Sequence, residues 1–463
     1  MGFKNDFSQA DNGNIIMPKS DPRPVIAGES KTTRRAFWER SDNPPGAAER
    51  GGMGASQPPF RIEYLRSKLN ARLPRVLTRY KYYDMKRTAR DLSGVMPQQF
   101  GWLRPVLGWC ARAADSISDR IVFEGFSNDG MGLGEIYDLN SKDVLTDSAV
   151  SSAVVTSCSF IYVSIADGIP RLQAIDGGNA TGILDPVTHM LTEGYAVLER
   201  DSSAGRGMGQ PIVEAYFTAD ETQIYRSGKL TETYPNPAPY ALLVPVIHRP
   251  DPMRPFGRSR ISRACMDLMD SALRTLKRSE VSAEFYSFPQ KYLLGLDPEA
   301  EMPDKWQATI SSFLRFDKDG EGEHPVLGQF QQQSMTPFNE QLKTIASMFA
   351  GETGLTLDDL GFSTANPTTP EAIRASHETL RLAARKAQRN FAVGFLNAGY
   401  LAACLRDNMA YDRSIIYQTK VMYEPLFEPD AGQLSGIGDA VNKIQQSFPD
   451  YFDEEKLHRI TGL

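Results

Sequence analysis

A block of strand-like sequence, residues 148–250, sits inside a chain whose flanks follow helical periodicity, and this limits the fold to a mixed one. Within the block, SFIYVSIADGIPRLQAID reads as two strands joined at Asp167-Gly168, a dipeptide suited to a two-residue hairpin turn. GYAVLER, IVEAYFTA, TQIYRSG and YALLVPVIH are further strand candidates, with turns marked by Asp185-Pro186 and Asn236-Pro237.

Before the block, Ile62, Leu65, Leu69, Leu73 and Leu77 recur at spacings of three and four, which predicts a helix over 60–84. A second helix is expected through GWLRPVLGWCARAADSISDRI to near Val122, followed by a Gly-rich loop over 125–134. After the block, a long helix is expected over 259–285, ended by Pro289. Short strands follow in KYLLGL, ISSFLRF and HPVLGQF, the last two joined by the acidic turn DKDGEGE. Phe338, Leu342, Ile345 and Phe349 give the apolar stripe of a helix over 336–355. Beyond a turn-rich stretch, Thr369, Pro370 and Glu371 open a very long helix to about Leu405, striped by Ile373, Leu380, Ala384, Ala387, Phe391, Ala398 and Leu405. Two short helices are expected in the tail, and no internal repeat is present. The class is α+β.

With 41% hydrophobic and 23% charged residues among 463, most of the chain can bury a core. Residues 1–58 are the exception: rich in Pro, Gly and Ser, they read as an extended arm that packs on a neighbouring subunit or another protein. A formal net charge of -6 argues against a free-standing DNA binder, which needs a basic surplus, but not against a surface that DNA slides past. Cys110, Cys158, Cys265 and Cys404 lie far apart with no CxxC, so they read as small buried apolar residues rather than a disulfide or zinc framework. The N-terminus lacks a signal-peptide core, and no run of about 18 apolar residues occurs to span a membrane.

Signals for chemistry are weak. His189, His248, His324, His377 and His458 show no i,i+4 pairing and read as structural or solvated. The Gly-rich stretches GMGLG (130–134) and GRGMG (205–209) lack the GK[ST] of a phosphate loop, and neither has the strand–helix setting of one. DKDGEGE places its glycines wrongly for a calcium loop. Asp358 and Asp359 have no neighbouring His, Lys or third carboxylate in sequence and read as turn or capping residues. Arg374, Arg381, Arg385 and Arg389, at spacings of seven, four and four, form one basic face, either solvated or turned toward phosphates. No enzyme, metal or cofactor is expected.

The order of elements, with RIVFEGF (120–126), ILDPVT (183–188), VPVIHRPDPMRPFGRSRI (244–261), LTLDDLGFSTANPTTPEAIRAS (355–376) and FEPDAGQLSGIGDAVNKI (427–444), resembles the portal proteins of tailed bacteriophages over most of the chain. The resemblance implies a portal fold with long stem and wing helices, a β-rich wing layer and a small α/β clip. It divides the chain into an arm (1–58), a wing of helices plus β-layer (59–258), a stem helix (259–286), a clip (287–335), a second stem helix (336–355), a tunnel loop (356–369), a long wing helix (370–410) and a short crown region (411–463). The implied channel constriction includes Thr356, Asp358, Asp359, Phe362, Ser363, Thr364, Asn366 and Thr368; the implied partner-docking residues of the clip are Asp317, Lys318, Asp319, Glu321 and Glu323.

The family's role, as the resemblance implies it, is a homo-oligomeric ring of twelve at one capsid vertex. Double-stranded DNA passes through it during packaging and ejection, and terminase, head-tail adaptors and the major capsid protein meet it. Such a protein would be made in the host cytoplasm and end in the virion. The tunnel loop here carries two acids and no Lys or Arg, so its contact with DNA would be weak or through backbone and Thr groups. The alternatives are another structural phage protein, such as an adaptor or minor capsid protein, and an enzyme, which would need a phosphate loop or carboxylate cluster.

Overall fold

The computed structural model describes residues 61–88, 100–201, 203, 209–287, 291–294, 326–329, 334–362, 370–426, 431–449, 451–452 and 456–457. The arm (1–58), ISSFLRF, DKDGEGE, His324 and His458 lie outside the described residues.

The hairpin at Asp167-Gly168 forms as its sequence dictates. Both residues take positive φ, +53° and +77°, so the chain reverses in two residues and Ala166 pairs with Ile169. The hairpin strands are β2 (Cys158–Ala166) and β3 (Ile169–Ile175); β9 (Leu243–Ile247) pairs with the other edge of β2, giving the antiparallel order β3-β2-β9. Phe160 and Ile161 point to opposite faces, yet both are fully buried, so this sheet is covered on both sides. Helices α4 (Lys142–Thr156) and α8 (Glu378–Arg406) pack on it. Gly394 lets α8 approach β9 closely: a Cβ there would stand 3.0 Å from the Pro245 carbonyl.

A second, five-stranded antiparallel sheet runs β4 (Ala180–Leu184), β5 (Leu191–Arg200), β6 (Pro211–Phe217), β7 (Glu221–Arg226) and β8 (Lys229–Pro235) in sequence order. Helix α1 (Arg61–Tyr83) lies against it, with Leu65 and Leu69 buried on Tyr195 and Val197. Arg66 reaches from α1 to the buried Glu214, Nε to Oε1 at 3.0 Å and Nη2 to Oε2 at 2.8 Å. Arg61 also forms an ion pair with the buried Glu193, through Nη1 and Oε1.

Helices α5 (Arg263–Ser287) and α6 (Thr336–Thr353) pack along each other. Ser262, just before α5, donates to Glu352 at the end of α6 at 2.8 Å, so the two run antiparallel. Past the end of α5 and ahead of α6, β10 (Lys291–Leu294) and β11 (Val326–Gln329) pair antiparallel, Lys291 opposite Gln329. The stripe expected on α6 is present: Ile345 and Phe349 are buried, Phe338 and Leu342 half-buried. Charged residues surround much of α5, from exposed Arg263, Asp267 and Glu280 to the buried Lys277.

Four sequence expectations are corrected. Helix α2 spans only Trp109–Ser118, because Pro105 cannot sit in a helix interior and restricts Arg104 before it. The expected loop 125–134 overlaps strand β1 (Phe123–Ser127), which pairs with β12 (Lys420–Tyr423), a partner too distant in sequence for local periodicity to reveal. The strand block begins at Cys158, not 148, since α4 runs on to Thr156 behind the short helix α3 (Leu133–Leu139). The long helix from Pro370 is two: α7 (Pro370–Ser376) and α8, separated by His377, whose φ of -96° and ψ of 7° break the helical path. In the tail, α9 covers Ala431–Ser447.

Candidate functional site

The segment opening at Thr356 leaves the C-terminus of α6 through Gly354, which takes a left-handed φ of +68° and turns the chain off the helix. The junction it enters joins α2, α6, α8 and the start of α5. Arg260 pins it: its side chain is buried, its Nη2 donates to the Thr353 carbonyl that ends α6, and its Nε donates to the Ala113 carbonyl of α2 at 3.3 Å. A cation at the end of a helix also suits the helix dipole. Burial pushes the Arg260 guanidinium down to about 10. Trp109 of α2 packs on Phe349 of α6, ring centres 5.6 Å apart, and on Phe362 of the departing segment at 6.3 Å.

Asp359 holds the first half of this segment. Its Oδ2 accepts from the Thr356 amide and hydroxyl, both at 2.9 Å. His377 Nε2 lies 3.2 Å from the same oxygen, and Arg112 of α2 lies 3.8 Å from Oδ1. Burial alone would raise this carboxyl; the Thr356 amide and hydroxyl, with His377 and Arg112, outweigh it and hold it below its ordinary value. Leu360 is buried beneath, in a single 3-10 turn over Asp358–Leu360 that ends at Gly361.

The sequence-derived residues of this segment therefore divide. Thr356 and Asp359 tie the segment to the body, Phe362 is half-buried against Trp109, and Asp358 is exposed. Ser363, Thr364, Asn366 and Thr368 lie outside the described residues, as do Asp317, Lys318, Asp319, Glu321 and Glu323.

The basic face is divided too. Arg374 is half-buried on α7, and the break at His377 separates it from the other three. Arg381 gives both of its hydrogen bonds, at 2.6 Å, to Glu378 on its own helix. Arg385 and Arg389 remain exposed, one turn apart, and make no ion pair among the described residues.

The first Gly-rich loop is not an open anion cradle, because the Asp129 carboxylate already accepts from the Leu133 and Gly134 amides at 2.8 and 2.7 Å. All four cysteines are free and buried. Among the described residues no group of three His, Cys, Asp or Glu side chains could hold a metal ion, and no helix is long and apolar enough to cross a membrane.

Two curated proteins match this chain in sequence. Both are called portal protein: that of Mycobacterium phage L5 is 28% identical over 322 residues, and that of Mycobacterium phage D29 is 27% identical over 321. The chain is therefore similar in sequence to phage portal proteins. Each alignment covers 65% of this chain and 65% of its portal relative, so the chain spans about two thirds of the length of the curated relatives it matches. No family model matches the chain. Two solved structures, described as the virion of a native gene transfer agent particle and the neck of that particle computed with C12 symmetry, each align with a TM-score of 0.41 at 11% identity. They cover 77% of this chain and 89% of theirs.

The residues that hold this junction together were not among the sequence-derived candidates for the segment. Arg260 stood within the quoted stretch VPVIHRPDPMRPFGRSRI, where only its burial marks it out. Arg112 and His377 are 247 and 18 residues from Asp359 in the chain, and no spacing rule joins them.

Proposed function

We propose that this chain is the portal subunit of a tailed phage: a ring of twelve at one capsid vertex, the channel for double-stranded DNA in packaging and ejection, and the docking platform for terminase and head-tail adaptors. The observation that carries the reading is the match to two proteins called portal protein, taken with the antiparallel α5–α6 pair and the β10–β11 ladder beyond it. In this reading α5 and α6 are the stem and line the channel with neighbouring copies. Residues 287–335 form the clip, and Asp317, Lys318, Asp319, Glu321 and Glu323 meet the docking partners. Residues 356–369 are the tunnel loop, held at its base by Asp359 and Trp109. Arg385 and Arg389 are the two members of the basic face left to meet phosphates.

Cyclic head-to-tail contacts close into a ring without any enzymatic site. The test is the mass and symmetry of the purified protein by light scattering and class-averaged electron images. Twelve copies of a 51.4 kDa chain give roughly 600 kDa with a central hole. A closed dimer or tetramer with no hole would overturn the reading.

A further inference from the structure

Three arginines of α1, Arg72, Arg75 and Arg79, share one helix face, and two of them converge on the C-terminal end of α4. Arg79 Nη1 donates to the Thr156 carbonyl at 2.9 Å, and Arg72 Nη2 to Ser157 Oγ at 3.3 Å and Cys158 Sγ at 2.9 Å. The loop after β9 lies beside the same junction, since the His248 amide donates to the Ser157 carbonyl at 2.9 Å. That loop adds the exposed Arg249 and Arg254, and Met253, next to Arg254 in the chain, is 69% exposed. Arg258 of the loop takes Asp251 as its partner at 2.8 Å. The other five guanidiniums pair with no carboxylate among the described residues. The Arg79 guanidinium is pushed down to about 10, by burial first and then by Arg72, Arg75 and Arg254.

The other end of α4 carries the opposite sign. Asp143 and Asp147 stand exposed in its first two turns beside the exposed Asp119, which caps α2. None of the three forms an ion pair among the described residues. Burial, then the neighbouring acids, raises the Asp119 and Asp147 carboxyls. Leu139 and Val144, at this end of the α3–α4 pair, are 61% and 69% exposed. From Asp143 to Thr156 along α4 is about 20 Å at 1.5 Å per residue, so the two patches cannot meet within one chain.

We infer that the arginine patch of Arg72, Arg75, Arg79, Arg249 and Arg254 docks the acidic patch of Asp119, Asp143 and Asp147 on a second copy of this chain. Two different patches at opposite ends of one rigid helix make a heterologous contact, the kind that propagates from copy to copy. The two patches are opposite in charge, and exposed apolar side chains accompany each, as at a protein interface. A nucleic-acid phosphate would match the arginines but would leave the exposed Met253 and the whole acidic patch unaccounted for. The inference rests on the ring proposed above and names one of its contacts.

The test compares the full-length protein with Arg75→Glu/Arg254→Glu, with Asp143→Arg/Asp147→Arg, and with all four changes together. Circular dichroism melting checks that each variant folds. Each pair of reversals is expected to raise the protein concentration needed for half-assembly by about tenfold or more, and the fourfold variant to recover most of that loss. Separately, Arg254→Cys with Asp143→Cys in one chain, treated with a short bis-maleimide, is expected to give a ladder of linked copies, because all native cysteines are buried. Either substitution alone gives no ladder. Wild-type rings with unaffected double reversals and no ladder would overturn the inference and leave the ring standing. A fourfold variant no better than either pair would also overturn it; if Arg75→Glu/Arg254→Glu then loses retention of duplex DNA at low salt, phosphate is the occupant. Wild-type protein that forms no rings, together with a double-cysteine variant that gives no ladder, overturns both readings.

Discussion

His377 Nε2 lies 3.2 Å from Asp359 Oδ2, so the residue that breaks the helix on the far side of the proposed tunnel loop is bonded to the residue that anchors its near side. The chain that departs at Asp359 has thus come back to the same carboxylate by His377. Asp359→Asn keeps the shape but loses the charge that His377 and Arg112 face, and is expected to cost about 1–2 kcal/mol. Limited proteolysis should then cut within 356–369 faster than in the wild type, while ring mass is unchanged. A cleavage rate equal to that of the wild type would mean the Asp359 contacts do not restrain the loop.

Deleting 356–369 is expected to leave assembly intact and stop DNA filling of heads, because the segment lies at the channel constriction in the proposed reading. Reversing Asp317, Asp319, Glu321 and Glu323 is expected to weaken terminase or adaptor binding instead, with filling lost only through that docking step. Heads that fill normally with the deleted loop would remove the constriction from the account.

What was legible in the sequence follows the range of the interaction responsible. The Asp167-Gly168 hairpin, the α6 stripe and the extent of α1 rest on residues within a turn or two of each other, and all three stand in the structure. Strand β1 was read as loop because its partner β12 lies almost 300 residues away, and a strand of five residues containing Gly125 has little signal of its own. Asp359 was read as a turn or capping residue, and its bonds to Thr356 fit that; its pairing with His377 and Arg112 depends on tertiary packing alone. The helix expected to carry the basic face divides at His377, and spacing alone presumes an unbroken helix.

Arg66 and Glu214 test how α1 is held to the five-stranded sheet. Glu214 also accepts from Tyr195, so its carboxylate is buried with all its partners in place. Arg66→Ala strands that charge and is expected to cost about 3–5 kcal/mol, whereas Arg66→Met with Glu214→Leu removes both charges and should cost much less. A double-mutant cycle by denaturant unfolding measures the difference. Additive single-site costs would show that the pair is not coupled.

His248 sets an acid limit on the fold. The ring is fully buried, its Nδ1 lies 2.7 Å from the Arg258 carbonyl, and burial, only partly offset by that bond, pushes its pKa down to about 3. The proton therefore sits on Nδ1, and the folded protein holds the neutral ring. In the unfolded chain the same group titrates near its ordinary value of 6.5. Below that pH the unfolded state binds a proton that the folded state refuses, so stability from this group is complete above about 6.5 and falls as pH drops toward about 3. The slope in that window is about 1.4 kcal/mol per pH unit from this residue alone. His248→Asn can keep a donor toward the Arg258 carbonyl without a titrating ring. It is expected to be less stable at pH 7.5, where the packing against Phe391 is lost, yet to show a flatter decline between pH 6.5 and 4. Parallel wild-type and variant curves of unfolding free energy against pH would assign the acid sensitivity to other groups.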